Sequence, residues 1–163
     1  MKMLKALILA AIFCMPMVGH AELESEKQVE FTQAIEDGNT KLLDKFFKEE
    51  PKLGINDTYF AWSALHVAVN RHSLKSVKYF VEKGININYQ HPLTKMTALQ
   101  LAAFNHDVDM VKYLISKGAD VNTKLRGNVS IIRALHDMGD TQMEEIFAAA
   151  GAKDDGCQEE KCF

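Results

Sequence analysis

The sequence predicts an all-α protein, a solenoid of about four stacked helix-turn-helix repeats with hairpin-like tips. Three observations predict it. Ser63-Ala64-Leu65-His66-Val67-Ala68 returns as Thr97-Ala98-Leu99-Gln100-Leu101-Ala102, 34 residues further on. Val77-Lys78-Tyr79-Phe80-Val81-Glu82-Lys83-Gly84 returns as Val111-Lys112-Tyr113-Leu114-Ile115-Ser116-Lys117-Gly118 at the same offset. Within a unit, Leu42, Leu43, Phe46 and Phe47 fall at the spacing that lines one face of a helix. Self-similarity at about 33 residues marks an array of stacked units.

The chain begins with a different composition. Met1 to Lys5 carries two lysines, Ala6 to Val18 is nearly all apolar, and Gly19-His20-Ala21 supplies small residues three back and one back from Glu22. This layout predicts a signal peptide over residues 1–21. The apolar run is shorter than the roughly 20 residues a spanning helix needs, and Pro16 interrupts it. A lipidated Cys14 is disfavoured because Phe13 is too large to precede it. Removal of Lys2 and Lys5 would turn 19 basic residues into 17 against 22 acidic ones, so the net charge of −3 would become −5. With 47% hydrophobic and 25% charged residues the remainder is globular in character. A pI near 6.1 gives no reason to expect a nucleic-acid partner.

The repeat domain is expected over residues 22–153, with units at about 28–61, 62–95, 96–128 and 129–153. In the first unit, helices are expected from about Glu26 to Asp37 and from Thr40 to Lys48, with Gly38 as a left-handed stop between them. The second should hold helices at Ala64–Asn70 and Leu74–Lys83, the third at Ala98–Asn105 and Val108–Lys117. A shift of 33 places the fourth: Thr97 falls on Ser130, Leu99 on Ile132, Met110 on Met143 and Leu114 on Phe147. Glu144 and Glu145 then stand where a further unit would stack, and such polarity suits a terminal repeat. Small residues at Ala34, Ala68 and Ala102 would let neighbouring helices approach, and Leu65 and Leu99 would fill the seams. Leu99→Ala should cost about 2–5 kcal/mol. Residues 154–163 form an acidic tail in which Cys157 and Cys162 could close a small disulfide loop in an oxidising compartment.

These motifs resemble the ankyrin repeat, whose pattern runs T-P-L-H-x-A-A and ends a second helix in G-A-D-V-N. Gly118-Ala119-Asp120-Val121-Asn122 reproduces that ending residue for residue. The resemblance implies that His66, in the T-P-L-H slot, bonds the backbone of a neighbouring loop. It also implies positive φ at His72 and His106, which stand where the family places glycine between helices. These two histidines, one repeat apart, could face one another across the stack, but two further zinc ligands are lacking and no metal is expected. His91 and His136 look isolated.

No nucleophile elbow, zinc-protease helix, phosphate loop or calcium loop occurs, so neither catalysis nor a cofactor is expected. The resemblance implies a protein partner docking on the tips and first helices. The tips carry Tyr59, Phe60, Trp62, Tyr89, His91, Met96, Lys124 and Arg126. The matching helix positions carry Asn70, Arg71, Phe104 and Asn105, with Phe104 the expected anchor because a polar residue would satisfy the fold. The alternative is that Tyr59 and Trp62 pack against the neighbouring tip. Phe60, Ala61, Thr94 and Lys95 replace the family's Asp and Gly in two tips, which leaves the turn geometry open.

The expectation is a noncatalytic periplasmic or secreted binding module, monomeric on its own, with no nucleic-acid partner and no membrane association after leader removal. Small periplasmic ankyrin proteins include immunity proteins that block a toxin or effector enzyme, and this role is expected first. An accessory partner of a periplasmic enzyme, for example in oxidative-stress defence, is the alternative.

Overall fold

The computed structural model describes residues 25–51, 53–59 and 61–154. The expected leader, Phe60, the Cys157 and Cys162 pair and the side chain of Tyr59 lie outside the described residues. Helices come in packed pairs: α1 (Ser25–Glu36) with α2 (Thr40–Glu49), α3 (Ala64–Asn70) with α4 (Leu74–Glu82), α5 (Ala98–Phe104) with α6 (Val108–Ser116), and α7 (Ile131–Met138) with α8 (Thr141–Ala149). Between the first two pairs, β1 (Thr58–Tyr59) and β2 (Trp62–Ser63) form a minimal antiparallel hairpin with Tyr59 opposite Trp62. Among the described residues no helix is long and apolar enough to cross a membrane.

Local chemistry sets the helix limits. Asn39, Ser63, Thr97, Asp107, Ser130 and Asp140 each accept a hydrogen bond from the backbone N–H three residues on, satisfying a donor the helix itself cannot. Thr97 and Gln100 do so reciprocally: Gln100 N–H donates to the Thr97 hydroxyl and Thr97 N–H donates to Gln100 Oε1. Between the helices of each pair the chain turns through positive φ, at Gly38 (61°), His72 (53°), His106 (56°) and Gly139 (72°). The histidines adopt the expected left-handed conformation.

Stacking builds one continuous core. Ala34, Ala68 and Ala102 are fully buried, so α1, α3 and α5 approach closely. Leu135 stands at the same repeat position in the fourth unit and is likewise fully buried. In the outer row Leu43, Val77 and Val111 form one buried stripe, and Phe46, Phe80, Leu114 and Phe147 form another. The first stripe ends at Glu144, only partly buried and 3.4 Å from His136 Nδ1 in its own repeat. That placement also removes His136 from isolation.

A second device ties consecutive repeats. Asn56 Oδ1 accepts from Asn86 N–H at 2.6 Å, Asn88 Oδ1 from Asp120 N–H at 2.8 Å, and Asn122 Oδ1 from Lys153 N–H at 2.8 Å. Each asparagine occupies the last position of a repeat's closing motif, so a single residue type is used at every step of the array. Asn88→Ala is expected to lower stability by about 1 kcal/mol, near the usual worth of one hydrogen bond. A denaturation midpoint unchanged from wild type would show that the ladder adds nothing.

Candidate functional site

The inner helices and tips form the face on which the expected binding residues fall. Between α1 and α3 this face holds a cavity of about 310 Å³. Phe31, Ile35 and Val67 supply its apolar wall, Trp62 closes the tip side, and Thr32, Asn70 and Arg71 line it with polar groups. Arg71 Nη1 lies 3.4 Å from Glu36 Oε2, an ion pair that spans the seam beside the opening. A mostly apolar recess with a few fixed polar groups is the usual form of a ligand or side-chain pocket.

Trp62 is held in place from behind. Its ring meets the His66 ring edge-on, with centroids 5.6 Å apart, and lies 4.7 Å from the His91 ring. Tyr89 packs edge-on against His66 at 5.7 Å, and its hydroxyl donates to Ala61 O at 3.1 Å. Trp62 thus packs against the next tip and also lines the cavity.

His66 organises the cluster. It is almost fully buried, its Nε2–H donates to Met96 O at 3.1 Å, and its Nδ1 lies 2.7 Å from the Ser63 hydroxyl. The carbonyl can only accept, so the proton sits on Nε2, and Nδ1 accepts from Ser63. Burial pushes the imidazole pKa below its ordinary value and the neighbouring His91 adds to this, against the opposing effect of the Met96 carbonyl. His66 is therefore the loop-bonding residue that the resemblance implied. Gln100, one repeat later, does the same work, donating from Nε2 to Thr123 O at 2.6 Å.

His91 is not an isolated, accessible tip residue. It is buried, its Nδ1 accepts from Thr94 N–H at 3.2 Å, and its carbonyl accepts from Lys95 N–H at 2.8 Å, which closes the second tip. Nor do His72 and His106 face one another. His72 Nδ1 lies 3.8 Å from Asp107 Oδ2 and His106 Nδ1 lies 2.7 Å from Asp140 Oδ2, so each meets the acidic helix cap of the following repeat. The replaced tip glycines have a backbone consequence: Ala61 and Lys95 hold φ of 69° and 61°.

Of the residues expected to contact a partner, the structure gathers Trp62, Asn70 and Arg71 around the cavity. Tyr89 and His91 lie behind Trp62, and Met96 supplies the carbonyl that His66 binds. Phe104 is half-buried against the core and does not line the cavity, and Asn105 caps the end of its helix. Lys124 and Arg126 line a separate groove between the second and third tips. Sequence reasoning missed Thr32, Ile35 and Val67 as cavity residues. The signal was faint: Val67 shares its repeat position with Leu101, an apolar pair on the inner helices outside the fully buried stripe.

A family model of ankyrin repeats, in three copies, matches residues 31–124, more than half of the chain. The chain belongs to the ankyrin-repeat family. Its fold is similar to the ankyrin repeat domain of Bcl-3, a member of the IkappaB protein family, with a TM-score of 0.68 and 24% identity over 76% of this chain and 55% of that one. It is similar also to the Legionella effector AnkH, with a TM-score of 0.67 and 21% identity over 76% of this chain and 26% of that one. The ankyrin chain described here thus spans little more than half of the first and about a quarter of the second. No curated protein matches the sequence. Ankyrin repeats are protein-binding modules, typically without catalytic activity of their own.

Proposed function

We propose that this ankyrin protein is an exported, noncatalytic binding module that acts in the periplasm as an immunity protein, capturing a toxin or effector enzyme on its inner-helix face. The observation that carries the binding role is the cavity beside Trp62. Its apolar wall is already shaped, and the indole is fixed by two histidine rings, so little side-chain freedom remains to be lost on docking. Tryptophan in a recess is the type of residue that dominates binding energy at interfaces. The charge pattern of residues 1–21 supports export. The acidic balance of the chain suits capture of a basic enzyme by electrostatic steering.

The test is co-expression of the chain with toxin-like proteins encoded beside it, scored as survival of the host. Wild type should protect, and Trp62→Ala should weaken the purified complex by about 2 kcal/mol or more, roughly thirtyfold in Kd. Protection that survives Trp62→Ala with unchanged affinity would remove the cavity from the interface. If the neighbouring gene encodes an envelope oxidoreductase whose activity the chain preserves, the accessory role replaces immunity.

A further inference from the structure

The groove between the second and third tips has a different chemistry from the Trp62 cavity. It is open, about 560 Å³ in volume, and three of its lining residues, Lys95, Lys124 and Arg126, are cations while none is a carboxylate. This occurs on a chain of net charge −3. The neighbouring acid, Asp120, is turned to its own turn, accepting from Asn122 N–H at 2.8 Å and from the Thr123 hydroxyl at 3.1 Å. Among the described residues, neither Lys95 nor Arg126 forms an ion pair with a carboxylate.

The groove is also pre-shaped. Gln90 Nε2 donates to Lys95 O at 2.9 Å and to Lys124 O at 3.1 Å, which fastens the two tips together. Lys95 holds φ of 61°, a conformation that glycine adopts without strain and lysine does not. Gly127 and Asn128, on the opposite wall, are also left-handed, at 80° and 64°.

We infer that this groove docks an acidic segment of a partner protein, a short run of aspartate or glutamate whose carboxylates meet Lys95 and Arg126. This rests on the reading of the chain as a protein-binding module but not on the Trp62 cavity. Charge range decides between protein and nucleic acid. A short acidic segment sees only the local cations within a screening length of about 8 Å at physiological salt. A nucleic acid extends past them and meets the negative remainder of the array, while three cations release few counterions.

The experiment measures fluorescence anisotropy of a labelled decaglutamate peptide titrated with the purified chain, beside decalysine and a single-stranded oligothymidylate. Decaglutamate should bind and weaken with added salt. The variant K95G/R126Q should lose about tenfold or more in affinity, with R126E as an independent check. Lys95→Gly alone should raise Tm by about 2–4 °C while weakening the peptide, which separates charge from fold. Trp62→Ala should leave peptide binding intact. No decaglutamate binding, equal binding by the double variant, or tighter binding of oligothymidylate would overturn the inference. Loss of peptide binding in Trp62→Ala but not in the double variant would overturn it and leave the cavity reading standing.

Discussion

Phe80→Ala should destabilise the protein by about 3–5 kcal/mol, the largest effect expected of a single truncation in this array. Phe80 is fully buried in α4, its ring 5.3 Å from Tyr79 and 6.5 Å from Phe31 of the preceding repeat. Removing it opens a hole at the seam between the first two repeats, where its ring meets Phe31. Domains of this size commonly have only about 5–15 kcal/mol of stability in total, so the loss is a large share. Urea titration followed by circular dichroism would measure it. A loss below about 1 kcal/mol would mean that the seam is not tightly packed and that the repeats hold together by other contacts.

The second large effect concerns His66. His66→Ala leaves the buried Ser63 hydroxyl and the Met96 carbonyl without the imidazole and removes the edge that Trp62 and Tyr89 pack on; the expected loss is about 2–4 kcal/mol. His66→Gln should cost less, because Gln100, at the same repeat position, reaches a carbonyl of its own following tip, Thr123 O. The two variants also separate in pH dependence. The folded-state pKa of His66 lies below the ordinary 6.5, so the unfolded chain takes up the proton first as pH falls. Its contribution is therefore fully present above about pH 6.5 and is lost progressively below it, until the folded pKa is reached. Midpoints measured from pH 8 to pH 5 should fall in wild type, and the part of the fall due to His66 should vanish in His66→Gln. Identical pH profiles would show that the buried imidazole does not titrate differently in the folded state.

Much of the fold was legible because its signals are local or strictly periodic. Each helix of the first three units begins and ends within about two residues of the position that spacing and capping residues gave, and the chain reverses at His72 and His106 as at Gly38 and Gly139. The candidate site was less legible. Trp62, Asn70 and Arg71 were found by repeat position, but their grouping with Thr32, Ile35 and Val67 depends on how far α1 stands from α3. His91 looked like an accessible tip residue because nothing in its neighbours along the chain reveals Trp62, 29 residues earlier, packed over it. Phe104 was conspicuous by type, yet type alone does not say whether an aromatic points to partner or core.

The sequence by itself determined the unit, its length, its helix limits and its family, because a 34-residue repetition with capping residues at fixed offsets leaves little freedom to the backbone. Tertiary structure alone decided which side chains share a surface. The Trp62 recess and the cationic groove between tips each join residues about 30 or more positions apart. They are brought together by side chains packed in the seams, among them the buried Ala34, Ala68, Ala102 and Leu135. Those side chains act through packing across the stack, which no window along the chain contains.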